Sequence, residues 1–214
     1  MKRKQQRIDN SNKKMKTTLD RCVVVLDSNE SKCRYFENFM ENEEAKELIH
    51  EISNADYTVD KVKIFGKTID SPRKVCAFSC DGRSYSYAGF TRESVKWTPK
   101  LLQLKEKIED KLNEKFNYAL VNKYDSGSEY IGWHADNEKD MESGSTIASI
   151  SLGQKRKFSI KDIKSGKEKY NVELASGSLL TMEGDMQKNY KHSVPKSKQK
   201  MSVRYNITFR NIKN

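Results

Sequence analysis

"RYNITFR", residues 204–210, sets polar against apolar residues with a period of two. On a β-strand alternate side chains share a face, so Arg204, Asn206, Thr208 and Arg210 line one side. Val203, Tyr205, Ile207 and Phe209 line the other, apolar side. Two readings of the polar row are open. A strand with one face in water carries such a row. Alternatively, two guanidiniums, an amide and a hydroxyl grip a small anion, because the planar arginine fork offers paired hydrogen bonds to a carboxylate.

Outward from this strand, the C-terminal half reads as short extended runs broken by Gly, Ser, Asn and Asp: 118–124, 130–135, 146–152, 157–162, 169–174, 178–182, 192–194 and 202–210. Many short strands with turn signals indicate a β-sandwich or barrel. The N-terminal half offers strands at "RCVVVL" (21–26), at 57–65 before a turn at Gly66, and at "RKVCAFS" (73–79). "MENEEAKELIHEIS" (40–53) reads as a helix with Ala45, Leu48, Ile49 and Ile52 on one face. "TPKLLQLKEKIEDKLNEKF" (98–116) reads as a second, starting at Thr98 with Pro99 in its first turn. Helices precede most of the strands, so the class is α+β, with two helices packed outside a curled sheet.

The chain of 214 residues suffices for one domain with a real core. Its 41 Lys and Arg against 30 acidic residues give a formal charge of +11. That surplus favours polyanions, nucleic acid above all. Part of it sits in "MKRKQQRIDNSNKKMK" (1–16), which lacks apolar periodicity. Residues 1–19 therefore read as a disordered basic tail (a solubilising segment, a nuclear-import signal or a nucleic-acid arm) before a domain at 20–214. No apolar run approaches a membrane span and no signal peptide opens the chain, so the expected protein is soluble and intracellular. Cys22, Cys33, Cys76 and Cys80 form no Cys-x-x-Cys pair and read as free thiols.

There are three histidines, and His50 falls in the amphipathic first helix, a structural position. His134, in "IGWHADNEKD", is followed two residues later by Asp136. If that stretch is extended, the two side chains point the same way, roughly 7 Å apart. With His192 in "YKHSVP", they form the sequence pattern of two histidines and one carboxylate on one side of Fe(II). Zinc is the rival metal, normally enclosed by three or four His and Cys ligands. Oxygenases of the iron type commonly draw two electrons from 2-oxoglutarate, whose far carboxylate needs a cation. The arginine row of 204–210 supplies one, which favours the anion-gripping reading of that strand.

The chain resembles the AlkB family of Fe(II)/2-oxoglutarate dioxygenases, which remove methyl groups from nucleic-acid bases. The resemblance runs from about Tyr57 to Ile212 through "PRK" (72–74), "YSYAG" (85–89), "NKYDSGSEYIGWHAD" (122–136), "TIASISLG" (146–153), "GSLLTM" (177–182), "HSVP" (192–195) and "RYNITFR". "VKIFGK" (62–67) is similar to the finger hairpin of the branch that repairs duplex DNA. The resemblance implies a double-stranded β-helix, or jelly roll, with two supporting helices and a nucleotide-recognition lid at about 55–97. It implies iron held by His134, Asp136 and His192, and 2-oxoglutarate held by Asn122, Tyr124, Arg204, Asn206, Thr208 and Arg210. For the substrate it implies Tyr87 and His134 on either face of the target base, with Tyr85, Asn137 and Glu138 near its polar edge, and contacts from Phe65 and Arg73. Tyr87 stands where Phe is more usual and Asn137 where Asp is, which puts the edge contacts in question.

The implied reaction is oxidative demethylation of 1-methyladenine or 3-methylcytosine in DNA. Dioxygen and 2-oxoglutarate are consumed, and succinate, CO2 and formaldehyde are released. Such bases are cationic, and the aromatic face of Tyr87 with the carboxylate of Glu138 suits a cation. The implied partner is DNA, duplex or single-stranded, met by a nuclear monomer. Rival readings keep the chemistry but change the substrate to an RNA base or a protein side chain, or make the chain a non-catalytic nucleic-acid-binding module. The intact triad argues against the last.

Overall fold

The computed structural model describes residues 21–28, 30–64, 67–82, 85–87, 90–142 and 144–213. The basic segment 1–19, Phe65, and the side chains of Tyr85 and Tyr87 lie outside the described residues.

The N-terminal half contains β1 (Cys22–Ser28), β2 (Ser31–Phe36), α1 (Asn42–Ser53), β3 (Thr58–Ile64), β4 (Lys67–Ser79), β5 (Tyr85–Tyr87), β6 (Phe90–Arg92), β7 (Val95–Lys96) and α2 (Pro99–Leu112). Then follow β8 (Tyr118–Tyr124), β9 (Ile131–His134), β10 (Ile147–Gly153), β11 (Arg156–Asp162) and β12 (Glu168–Leu174). The chain closes with β13 (Ser178–Gly184), the single turn α3 (Met186–Asn189), β14 (Tyr190–Val194) and β15 (Arg204–Arg210). A large sheet runs β1-β2-β13-β10-β15-β8-β4-β3, with β7 beside β4, and a smaller one runs β12-β11-β14-β9. Two stacked sheets of this order, mostly antiparallel, make the jelly roll.

The strand that opened the sequence analysis is central. β15 pairs with β10 on one side (Asn206 opposite Ser151) and with β8 on the other (Asn206 opposite Asn122). Its apolar residues Tyr205, Ile207 and Phe209 face outward into a core shared with Ala45, Leu48 and Ile52 of α1 and Leu101, Leu104 and Ile108 of α2. Its polar residues face the gap between the sheets, beside a second core that includes Leu120, Phe158, Met182 and Val194. Most of the row is shut off from water: Arg204 is 1% exposed, Arg210 3% and Thr208 5%, while Asn206 is half-buried.

The two long helices are capped in different ways. Glu41 and Glu44 form a reciprocal capping box at the start of α1. The start of α2 is capped from outside: the Glu51 carboxylate of α1 accepts hydrogen bonds from the Thr98 hydroxyl and from the backbone N–H of Lys100 (3.1 Å) and Leu101 (3.3 Å). The helix expected over 98–116 stops at Leu112, because Asn113 takes the left-handed conformation (φ 54°, ψ 43°) that Asn tolerates best after Gly. Glu109 then turns back to accept the Phe116 N–H at 2.8 Å. The sequence reading also passed over β2, which pairs β1 with β13.

Candidate active site

His134 ends β9 and lies directly across from His192 on β14. Their rings are 4.2 Å apart between centroids, and His192 stacks on Phe158 at 5.3 Å. Asp136 follows two residues after His134, past the end of the strand, and its carboxylate points to the same side as the two imidazoles. The contacts are 3.6 Å to His134 Nε2 and 3.8 Å to His192 Nε2. Ligand atoms from the three residues lie within 4.8 Å of one another, the one group of three His, Cys, Asp or Glu with such spacing among the described residues. His134 Nδ1 donates to the Gly132 carbonyl at 2.9 Å, which leaves the Nε2 lone pair facing the cluster.

Electrostatics keep this donor set free of protons. Burial pushes the His192 imidazole down to about 3, helped by the neighbouring His134. His134 is lowered by burial too, against the opposing pull of the Asp136 carboxylate. Burial alone would raise Asp136, but the Arg210 guanidinium 3.1 Å away, followed by the two histidines and Arg73, holds it below its ordinary value. Two neutral imidazoles and a carboxylate on one side of a cavity fit a ferrous ion with open positions.

A small cavity lies between the sheets. Its lining includes the triad, Arg73, Asn122, Tyr124, Asn206, Thr208 and Arg210. Asn206 donates to Ser149 Oγ at 2.7 Å and to the Ile150 carbonyl at 3.1 Å. Arg73 on β4 donates to Asn122 Oδ1 at 2.5 Å and to Ser71 Oγ at 3.0 Å. Arg210 is turned to Asp136, with Glu138 3.9 Å beyond.

Arg204 differs from the other cations. Its guanidinium sits over the Tyr124 ring at 5.2 Å and donates Nη2–H to Ser151 Oγ at 2.9 Å, while Nε and Nη1 have no hydrogen-bond partner. Burial lowers it to about 10, so it is still a cation at neutral pH. A buried cation with unmet donors is costly alone, and a ligand carboxylate is the chemistry that satisfies it. Gly153 helps to place it: with φ +79°, a Cβ there would stand 2.5 Å from the Val203 carbonyl, one residue before Arg204.

Not every expected residue converges here. Asn137 is exposed and, with Glu138, lines a neighbouring cavity that meets the first at Asp136. Three contributors carried no sequence signal of a site role: Ser149 and Ser151, which face the β15 amide and guanidinium, and the buried Arg156. Arg156 donates to the carbonyls of Ser126, Glu129 and Pro195, stapling the loops at one end of the barrel.

The sequence profile of the 2OG-Fe(II) oxygenase superfamily matches residues 32–210. The chain belongs to that superfamily. This oxygenase is 34% identical over 174 residues to mouse DNA oxidative demethylase ALKBH2, covering 78% of this chain and 73% of the relative. Human ALKBH2 is 33% identical over 174 residues, covering 78% and 67%. Bovine alpha-ketoglutarate-dependent dioxygenase alkB homolog 3 is 34% identical over 137 residues, covering 60% and 48%. The solved structure of OsALKBH1 superposes with a TM-score of 0.64 at 15% identity, over 84% of this chain and 96% of that one, a likeness of fold alone. The oxygenase is therefore of AlkB type, a dioxygenase using Fe(II), 2-oxoglutarate and dioxygen.

Proposed function

We propose that this dioxygenase removes N-methyl groups from the Watson–Crick nitrogens of DNA bases, 1-methyladenine and 3-methylcytosine first. The observation that carries the co-substrate half of this reading is the buried Arg204, with two unmet N–H donors on the same inward strand face as Asn206 and Thr208. His134, Asp136 and His192 hold the iron. Arg204 takes the far carboxylate of 2-oxoglutarate, and Asn122, Tyr124, Asn206, Thr208 and Arg210 surround it. When bound, the metal with 2-oxoglutarate and dioxygen supplies the oxidising power that turns an N-methyl into an N-hydroxymethyl group, which falls away as formaldehyde. The chain's own work is placement. The two sheets exclude water, the depressed imidazoles present lone pairs, and Arg210 keeps Asp136 ionised.

The DNA reading draws support from the relatives named DNA oxidative demethylase. The charge of +11 suits a phosphate backbone. Tyr85, Tyr87 and Arg73 are assigned to the flipped base, with Glu138 and Asn137 at its edge. Phe65, which lies between β3 and β4 in sequence, is assigned to the gap the base leaves. A role on DNA would suit a nuclear protein, with the basic segment 1–16 as import signal or nucleic-acid arm. The test is incubation with Fe(II), 2-oxoglutarate and an oligonucleotide bearing 1-methyladenine, as single-stranded DNA, duplex DNA and RNA, followed by mass spectrometry. Loss of 14 mass units (one CH2) from DNA, absent in His192→Ala, is expected. Turnover confined to RNA would overturn the DNA assignment.

A further inference from the structure

Gln187 lies on the one-turn helix α3, five residues before His192. Its side-chain carbonyl Oε1 accepts the backbone N–H of Asp136 at 2.9 Å. Its amide Nε2 points the other way and donates to the Met182 sulfur at 3.5 Å. The orientation follows from chemistry: a backbone N–H can only donate, so the amide oxygen must face it, and the weakly accepting thioether takes the NH2. Asp136 is 4% exposed, so without Gln187 its N–H would be stranded away from water.

We propose that Gln187 is a positioning residue for the metal centre, a role that rests on His134, Asp136 and His192 being the ligands. The two histidines sit on paired strands and are placed by the sheet ladder. Asp136 is different, because β9 ends at His134 and no strand partner fixes its backbone. The Gln187 amide supplies the missing restraint. It ties the backbone of the second ligand to the connection that leads into the third, so one side chain couples the two loops that must converge. Arg210 attracts the Asp136 carboxylate, but attraction between charges does not select one backbone position.

A bond that merely stitches two loops together would change thermal stability and leave metal affinity alone. The two roles are separable. Mn(II) binding to the full chain is followed by electron paramagnetic resonance with 2-oxoglutarate present, beside the thermal midpoint of the metal-free protein, for wild type, Gln187→Leu, Gln187→Glu and His192→Ala. Leu fills similar volume without an acceptor, and Glu restores the acceptor at the same length. Gln187→Leu should bind Mn(II) about 10- to 100-fold more weakly, the usual range for a residue that orients a ligand. Gln187→Glu should recover most of the affinity. Wild-type affinity in Gln187→Leu, or a loss in both variants that tracks a fall in the metal-free midpoint, would overturn the positioning role. Undiminished Mn(II) binding by His192→Ala would instead overturn the ligand assignment on which it rests.

Discussion

At the scale of single residues, the decisive feature is a guanidinium in a place that water does not reach. Replacing Arg204 with Lys keeps a positive charge but removes the fork that leaves Nε and Nη1 to be satisfied. Hydrogen bonds to charged groups are each worth about 1.5–3 kcal/mol, so 2-oxoglutarate affinity should fall roughly 10- to 150-fold. Calorimetric titration of the Mn(II)-loaded variant checks this, while DNA binding of the metal-free variant should hardly move. His192 makes a second prediction. Its folded-state value of about 3 lies below the ordinary 6.5, so the unfolded chain takes up a proton that the folded chain refuses. Its contribution to stability is complete above pH 6.5 and is lost as pH falls from there toward 3, reaching about 2 kcal/mol at pH 5. The thermal midpoint of the metal-free protein should therefore drop between pH 7 and pH 5, and His192→Asn should flatten that drop.

At the scale of elements, the two outer helices depend on each other at their ends. Thr98 makes no side-chain capping bond of its own, and the Glu51 carboxylate takes over the first N–H groups of α2. Glu51→Ala should lower the stability of the fold by about 1–2 kcal/mol, the usual worth of a lost cap together with the helix-dipole interaction. Urea unfolding should show a lower midpoint at unchanged slope. The pair β3 and β4 carries a second element-scale expectation, at Phe65, which lies between the two strands in sequence. If Phe65 fills the stack vacated by a flipped base, stacking worth about 1–3 kcal/mol is lost in Phe65→Ala, and duplex repair should fall roughly 5- to 150-fold. The same oligonucleotide without its complement should be affected much less, and equal losses on both would remove the wedge role.

For the whole molecule, charge and burial are divided between two ligands. On the proposed function, DNA would meet the exposed lysines, whose interactions salt screens, and counterion release makes such binding fall steeply with ionic strength. The 2-oxoglutarate carboxylate would meet Arg204, 1% exposed behind two sheets. Raising salt from about 50 to 200 mM should thus weaken DNA binding strongly and leave 2-oxoglutarate affinity nearly unchanged. A matching loss of both would place the arginine row on the nucleic-acid surface.

What the sequence determined by itself is whatever depends on residue type and local period. Alternation marked the two faces of Arg204–Arg210. The amphipathic period placed α1 and its buried Ala45, Leu48 and Ile52. His-x-Asp with one distant His named the three residues that the structure brings within 4.8 Å. Alternation, however, says that a strand has two faces and not what covers them, because burial depends on elements far away in the chain. Only the tertiary structure set β15 between β10 and β8 and laid the smaller sheet over its polar row. The end of β9 at His134, the Arg156 staple and the Gln187 bond were likewise beyond local pattern. Each joins residues at least 27 apart in sequence or depends on where a strand ends, and no local periodicity records such a contact.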